Sequence, residues 1–553
     1  MTGSSDSRKG LIYQAGILAG ASILVRVIGL LYRAPLTAII GDEGNGYYNM
    51  AYNIYTIVLL ISSYSVPSAI SKVMASKLAL GEVRNAQRVF HCALLYALAA
   101  GIIASLFLFF GAGALVSPGA VSVLRIFAPT VFIFGILGVL RGYFQAHGSM
   151  VQTSVSQILE QLMNAVMSIV AAYGLIYVAS GKDPTTQARF GAMGSALGTG
   201  SGVVIALLYT GWCYYNAQGA LRKDLARDRS LPEPFSSTMK ETILSITPFI
   251  LSSFILNLTT SLNQTIYVKT LIEGRSLPEV DITTQYGIFS TKAVVITNIP
   301  ISIATAVSAA IIPSIAASFA RRDMALTRSR ASSVLRMTTL IAMPCMAGLI
   351  ALAWPITLLL FPQQASLDMA SILLALLSIT VLFYSVSTVT NAILQSVGKI
   401  QMPLISASIA LVIQTILLIV LLRGTDMGVY ALVLVSVLYS VLIFVMNEWF
   451  LHRYISLRTN VLDMYIKPFV GSGLMGFCTT ALYALLYTLL RIGGMESMYR
   501  RNLIAIGPSI LFAVVFYLFI MIRMGAVTDD DVLAVPGGGR ILRLLYRLRF
   551  FKR

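Results

Sequence analysis

Two arginines inside the first long apolar stretch are the residues of this chain best suited to chemistry. Arg26 and Arg33 lie seven residues apart, so on a helix of 3.6 residues per turn they point in almost the same direction. Ser22 and Gly29 share that face. An arginine at the middle of a membrane helix costs about 2.5–3.5 kcal/mol even on the lenient insertion scale. Two on one face predict a water-filled cavity that holds an anion, although Arg33 alone is equally well explained by snorkelling to the outer interface.

Three more charged side chains of the long apolar runs are candidates for chemistry. Lys292 lies inside its run, where a lysine either binds a substrate or pairs with a carboxylate of another helix. We favour the substrate role, because few such carboxylates exist. Arg125, near the outer end of its run, is a further candidate that can also snorkel. Glu160 is almost the only carboxylate within a run; we expect it to pair with Arg26 or Lys292, with a coupling proton as the alternative.

A polar surface opens the second apolar run. Its tyrosines share one helical face and its asparagines another: Tyr48, Tyr52, Tyr55, Asn45, Asn49 and Asn53. Such a surface can stack on sugars and hydrogen-bond to them, or equally pack helix against helix. We take Asn49, Tyr52 and Asn53 as candidate substrate-binding residues.

The composition is that of a polytopic membrane protein. Of 553 residues, 57% are hydrophobic and 11% are charged, about half the charged fraction of a soluble chain. The net charge of +18 does not indicate nucleic-acid binding, because the cations cluster in short gaps between apolar runs. The four cysteines are scattered, and no Walker, HExxH, serine-elbow or metal-ligand motif occurs. We therefore expect a transporter rather than an enzyme, without cofactor or metal.

Fourteen apolar runs are long enough to cross a bilayer, at about 20 residues each. They lie near 13–35, 47–71, 89–115, 121–144, 151–178, 190–215, 242–268, 285–316, 333–361, 368–396, 402–423, 427–450, 466–490 and 502–523. Alternate loops are basic, so the positive-inside rule predicts both termini in the cytoplasm. One outer loop departs from the rule, because it carries Arg491, Arg500 and Arg501.

An internal repeat indicates a duplicated unit. The segment VPSAI at 66–70 recurs as IPSIA at 312–316, and QAHG at 145–148 recurs as QSVG at 395–398, at offsets of 246 and 250 residues. A unit of six helices returns to the same side, so the two copies share one orientation and are related by an axis along the membrane normal.

We therefore predict an all-α polytopic membrane protein with two pseudo-symmetric six-helix lobes and two extra C-terminal helices. The predicted parts are an N-lobe at 1–240, a C-lobe at 241–455, helices 13 and 14 with a lipid-tail groove at 456–525, and a cytoplasmic tail at 526–553. That tail alternates arginine with apolar residues, and we expect it to bind anionic inner-leaflet lipids.

Two classes of transporter fit these features. An exporter of organic cations needs acidic groups in its cavity, and this chain offers arginine and lysine. A carrier of a lipid-linked oligosaccharide must bind a diphosphate, which paired cations do well, and needs a lateral groove for the lipid tail. A membrane scaffold without transport leaves the intramembrane cations unexplained.

Several motifs carry a family resemblance. They are Ser22-x-x-x-Arg26-x-x-Gly29-x-x-x-Arg33, Gly41-Asp42-Glu43-Gly44, Gln157-x-x-Glu160-Gln161, and the Pro-Ser pairs that end spans two and eight. With them the chain resembles the polysaccharide-transporter branch of the multidrug/oligosaccharidyl-lipid/polysaccharide (MOP) exporter superfamily, near the Gram-positive MurJ-type lipid II flippases and the stage V sporulation protein B group.

The resemblance implies roles for particular residues. In MurJ-type flippases, cations of the first and eighth helices bind the substrate diphosphate, and by position these are Arg26, Arg33 and Lys292 here. The Gram-negative pattern has an aspartate and an arginine in helix two, where this chain has Gly46 and Leu60. Some MurJ-type proteins bind sodium through carboxylates of the second lobe. Because spans seven, eleven and twelve offer none in their interiors, we expect transport to depend on membrane potential, with a proton route as the alternative.

The functional prediction is a monomeric flippase of the bacterial cell membrane that works by alternating access. Its substrate is an undecaprenyl-diphosphate-linked cell-wall precursor, lipid II in the first place. The alternatives are another lipid-linked polysaccharide or teichoic precursor and, third, a cation or drug exporter of the MATE (multidrug and toxic compound extrusion) type.

Overall fold

The computed structural model describes residues 20–21, 24–64, 66–457 and 460–526. Ser22 of the predicted arginine face and all of the predicted basic tail after residue 526 lie outside these residues. Residues 24–31 are helical and lead through a turn at Tyr32 into the first helix with both ends defined. The described secondary structure is helical and contains no strand, as the hydropathy pattern predicted.

The α-helices follow one another along both halves of the chain. They are α1 (Arg33–Leu59), α2 (Val66–Ala79), α3 (Val83–Leu115), α4 (Val121–Ala146), α5 (Val151–Val178), α6 (Pro184–Arg227), α7 (Phe235–Lys269), α8 (Glu279–Gly287), α9 (Val294–Ala320), α10 (Met324–Ala351), α11 (Ala353–Leu360), α12 (Leu367–Leu377), α13 (Ile379–Ser396), α14 (Gln401–Gly424), α15 (Val429–Ile455), α16 (Lys467–Ile492) and α17 (Met498–Arg523).

Twelve helical segments within the described residues are long and apolar enough to cross a membrane. They correspond to the predicted second to sixth and eighth to fourteenth spans, so the protein is a multi-pass membrane protein. The two other predicted spans, 13–35 and 242–268, include residues or side chains outside the described part. The count of fourteen therefore stays a prediction.

Local departures from α-helix geometry occur where the candidate residues lie. Helix α1 bends at Gly41, whose φ of 70° and ψ of 178° suit a residue without a Cβ atom. One-turn π-helices occupy Leu60–Tyr64 and Ile288–Ala293, and the second contains Lys292. A π-turn adds one residue to a helical turn and is frequent at functional sites.

Two compact units divide the chain, Met1–Thr291 and Lys292–Arg553. In the first, α5 packs along α6, α3 packs along α4, and α1 contacts α6 and α8. In the second, α10 contacts α13 and α16, and α16 pairs with α17. Helices α7 and α8, which the repeat assigns to the C-lobe, lie in the first unit with α1. The lobe boundaries that the repeat gives stay a prediction.

Candidate substrate-binding site

The arginine face belongs to the first unit. The Arg26 side chain is exposed and that of Arg33 is half-buried. Arg33 opens α1 and lies near the hydroxyl groups of Tyr48 and Tyr52. A guanidinium fork beside phenol hydroxyls can donate to the oxygens of a phosphate or a sugar. The structure thus brings Arg33 together with the aromatic face of α1.

The three tyrosines of that face form a continuous aromatic stack. The ring centroids of Tyr48 and Tyr52 are 5.6 Å apart, and those of Tyr52 and Tyr55 are 5.8 Å apart. Phe127 of α4 completes the stack, 4.7 Å from Tyr55. Tyr48 and Tyr55 are buried, whereas Tyr52 is half-buried. Tyr52 is therefore the member that presents part of its ring to a ligand.

The asparagines of α1 hold helices together in this conformation. Asn49 Nδ2 donates to Thr291 Oγ1 at 2.6 Å. Asn53 Nδ2 donates to Gln264 Oε1 of α7 at 2.6 Å and to the Tyr286 hydroxyl of α8 at 2.8 Å. In this structure both amides therefore join helix to helix. Their role in substrate binding stays a prediction.

Glu160 pairs with a residue that the sequence analysis missed. Arg141 Nη2 lies 2.7 Å from Glu160 Oε2, and Arg141 Nε donates to Ser156 Oγ at 2.8 Å. The prediction that Glu160 pairs with Arg26 or Lys292 was therefore wrong. Arg141 is 5% exposed and lies near the end of α4, the helix that also contains the candidate Arg125. A second arginine within the apolar run was the available signal.

Arg125 lies at the surface near the start of α4. Its side chain is exposed, its Nε donates to the Phe109 carbonyl at 3.3 Å, and its guanidinium carbon lies 5.5 Å from the Phe109 ring centroid. These contacts are those of an arginine that snorkels, and we use it below as a control.

Lys292 is buried in the second unit. It is 1% exposed, and its Nζ donates to Ser366 Oγ at 2.6 Å and lies 5.8 Å from the Phe361 ring centroid. Lys292 lies within the π-turn at Ile288–Ala293. A substrate role for Lys292, which stays a prediction, requires the ammonium group to leave Ser366.

The interior of span twelve corrects a further expectation. Glu448 lies in α15, seven residues before the helix ends, and accepts a hydrogen bond from the Tyr465 hydroxyl at 3.3 Å. The statement that this span has no interior carboxylate was therefore wrong. No group of three or more histidine, cysteine or acidic side chains suited to a metal ion occurs among the residues that the structure describes.

An apolar groove lies between α10 and α16 in the second unit. Its volume is about 350 Å³, and its walls include Met346, Ile350, Phe469, Gly473 and Phe477. Helix α17 packs on another face of α16, where the Met521 side chain reaches Gly471. The sequence analysis places a lipid tail beside spans thirteen and fourteen, and a lipid tail in this groove stays a prediction.

Two curated relatives align with most of this chain. The lipid II flippase MurJ of Bacillus subtilis (strain 168) is 23% identical over 478 residues, which cover 82% of this chain and 86% of the relative. The stage V sporulation protein B of the same organism is 23% identical over 534 residues, which cover 95% and 98%.

Solved structures share the fold. A lipid II flippase MurJ in an inward closed conformation matches with a TM-score of 0.64 at 15% identity, over 92% of this chain and 99% of that one. A MATE family multidrug resistance transporter of the MOP superfamily, in an inward-facing conformation, matches with a TM-score of 0.61 at 16% identity, over 78% and 94%. At these identities the likeness establishes the fold alone.

Two family models match the chain in succession. The model described as polysaccharide biosynthesis protein matches residues 11–319, which is more than half of the chain, and the model described as MatE matches residues 291–420. The two matches overlap at residues 291–319. The chain therefore belongs to the polysaccharide biosynthesis protein family, in the polysaccharide-transporter branch of the MOP superfamily of membrane transporters.

Proposed function

We propose that the protein is a flippase that moves an undecaprenyl-diphosphate-linked cell-wall precursor, lipid II in the first place, from the inner to the outer leaflet by alternating access. The observation that carries the proposal is that half-buried Arg33 lies near the hydroxyl groups of Tyr48 and Tyr52 in the first unit. Exposed Arg26 precedes Arg33 by seven residues. The named relative, a lipid II flippase, supports the choice of substrate.

The chemistry of this face suits a diphosphate joined to a sugar. Two guanidinium groups offer paired N–H donors that match phosphate oxygens, and they stay charged at every physiological pH. The half-buried ring of Tyr52 offers a surface for sugar stacking. Arg141 neutralises Glu160 at 2.7 Å, so this carboxylate subtracts little from the positive field that the substrate meets.

The lipid tail needs an apolar path of its own. The groove between α10 and α16 extends along α16 from Phe469 to Thr480, about 16 Å at 1.5 Å per residue. Its walls are apolar or small, which suits an isoprenoid chain and supports the proposed seat for the tail.

Transport of an anion toward the outside gains energy from an inside-negative membrane potential. One charge that crosses the full field gains about 2.3 kcal/mol per 100 mV, more than a tenfold bias on a balanced carrier. We propose that this potential drives the cycle. Glu160 and Glu448 are the carboxylates through which a coupled proton would act.

Complementation tests the proposal directly. A strain depleted of its own lipid II flippase should grow when it expresses this protein, and should fail with Arg26→Ala because the diphosphate loses a bidentate donor. Arg26→Lys should restore part of the growth, since it keeps the charge and loses the fork. The matched control is Arg125→Ala, which removes an arginine that contacts Phe109 and should leave growth unchanged.

A second lipid-linked glycan is the remaining candidate. The family description, polysaccharide biosynthesis protein, favours it. Both substrates share the diphosphate and the tail. Failed complementation together with Arg26-dependent flipping of another undecaprenyl-diphosphate glycan in proteoliposomes would select this candidate; failure of both assays would refute the flippase proposal.

A further inference from the structure

The buried arginine of the first unit has more supports than its ion pair. Arg141 Nη2 lies 2.7 Å from Glu160 Oε2 of α5. Arg141 Nε donates to the hydroxyl of buried Ser156 at 2.8 Å, and the guanidinium carbon lies 6.0 Å from the Phe134 ring centroid. Ser156 in turn donates to the Thr153 carbonyl at 2.7 Å. The guanidinium group therefore has contacts that fix its position without the carboxylate.

The carboxylate is the more accessible partner of this pair. The Glu160 side chain is 26% exposed, whereas that of Arg141 is 7% exposed. The hydrogen bond between them joins one guanidinium nitrogen to one carboxylate oxygen, although a guanidinium group can bind a carboxylate or a phosphate through two parallel bonds. A multiply charged phosphate carries more charge than a carboxylate and can accept both bonds. Such an anion can therefore compete with Glu160 for Arg141.

The ion pair borders the arginine face of the first apolar stretch. Gly29 lies one turn before Arg33, and a Cβ atom built on it would lie 3.2 Å from Gln161 Nε2 of α5. Gln161 directly follows Glu160 in the sequence. The hydroxyl group of Tyr52 lies near both Arg33 and Glu160. An anion that binds Arg33 beside the aromatic stack therefore also approaches the ion pair.

We infer that Arg141 is a further ligand of the substrate diphosphate and that Glu160 occupies this arginine while the carrier is empty. The diphosphate displaces Glu160 from Arg141, and Ser156 keeps the guanidinium group in position during the exchange. A singly charged anion offers Arg141 no more than the carboxylate does, so the exchange selects multiply charged phosphates. The inference rests on the proposed function, because it assigns one more residue to the same site.

The test is the binding of inorganic pyrophosphate to the purified full-length protein in detergent, measured by isothermal titration calorimetry. Glu160→Gln removes the competing charge and should raise the affinity about tenfold, because a charge-assisted hydrogen bond no longer has to be broken. Adding Arg141→Lys to this variant keeps the positive charge and loses the fork, so most of the gain should disappear. The control Glu241→Gln removes the same charge from an exposed position of α7 and should bind as the wild type does.

Three results would overturn the inference once thermal stability in detergent shows that the variants are folded. They are equal affinity of the wild type and Glu160→Gln, an equal gain in Glu241→Gln, and a gain that survives Arg141→Lys, because a general electrostatic effect does not need the fork. If Glu160→Gln does not fold, Glu160→Asp takes its place, since the shorter side chain withdraws the carboxylate from Arg141, and unchanged affinity then overturns the inference. A gain that depends on Arg141 supports the site even when complementation fails, and that failure counts against the proposed transport alone.

Discussion

The contact between α1 and α8 depends on two glycines. An added Cβ atom at Gly46 would lie 2.1 Å from the Thr283 carbonyl oxygen, and one at Gly287 would lie 2.0 Å from the Asp42 carbonyl oxygen. Ordinary contact begins near 3.4 Å, so an alanine at either position forces the helices apart by about 1 Å or more. The repeat assigns these helices to different lobes, and alternating access requires such a contact to break and reform.

The size of the effect follows from the bonds around the contact. Overpacking costs about 1–3 kcal/mol, and the separation strains the bond from Asn53 to Tyr286, worth about 1 kcal/mol. A total near 3 kcal/mol lowers the ratio of the closed to the open contact by about a hundredfold. We therefore expect Gly46→Ala to shift the protein toward the state in which α1 and α8 are apart.

Disulfide cross-linking measures that population. Cysteines at positions 49 and 291 replace a side-chain pair that is in contact at 2.6 Å, in a background where alanine replaces Cys92, Cys213, Cys345 and Cys478. Cross-linking in membranes should be fast, and Gly46→Ala should slow it by tenfold or more. Gly174→Ala, at a position with nothing within 4 Å, should leave the rate unchanged.

One result would refute this reasoning. If folded Gly46→Ala protein cross-links as fast as its parent and flips substrate normally, the close approach of α1 and α8 does not control the conformational equilibrium. A loss of folded protein in detergent would instead call for Gly287→Ala, which perturbs the same contact from the opposite helix.

Four further predictions concern charges. Arg141→Gln should lower the free energy of unfolding by about 3 kcal/mol, because it leaves Glu160 unpaired and largely buried. Adding Glu160→Gln should restore part of the loss. The backbone N–H of Arg84 donates to Asp228 at 2.6 Å and holds the pKa of this carboxyl below its usual range. This bond stabilises the fold above the unfolded-state pKa of Asp228, and the stabilisation is lost as pH falls through the folded-state pKa. Proteolysis of the 228–234 linker should therefore rise below about pH 4. Asp228→Asn should abolish that pH dependence. A cysteine at position 273 should react with an impermeant maleimide in intact cells and a cysteine at position 84 should not; the reverse pattern would invert the predicted topology. In proteoliposomes, a membrane potential imposed with potassium and valinomycin should drive flipping without sodium. Activity that needs sodium and does not respond to the potential would contradict the proposed energy source. If Glu160→Gln removes only the pH dependence of flipping, the proton route is favoured.

Hydropathy and spacing could predict the helices and the shared face of the three tyrosines, because both depend on residues near one another in sequence. The apolar runs locate the long helices, and the periodicity of Tyr48, Tyr52 and Tyr55 gave the aromatic stack that the structure contains. These features need no knowledge of which helices are neighbours.

Partners on different helices could not be found in this way. The pair of Arg141 and Glu160 joins two helices whose relative rotation is not encoded by spacing along either one. The same limit applies to Asn49 and Asn53, whose amides suit a sugar or another helix equally until α7 and α8 are placed. Glu448 was missed for a simpler reason: the run was judged to end near it, and the helix continues for two turns.

The π-turn at Ile288–Ala293 has a consequence for comparing this chain with distant relatives. Each residue added to or removed from a helix rotates everything beyond it by 100°. A relative that lacks the extra residue would therefore align with α8 or with α9, but not with both, unless a one-residue gap is placed inside the turn. The boundary between the two compact units falls there as well, between Thr291 and Lys292. An alignment at 23% identity that shifts the gap by one position pairs Lys292 with the wrong residue, so a lysine in this helix is best assigned from superposed structures.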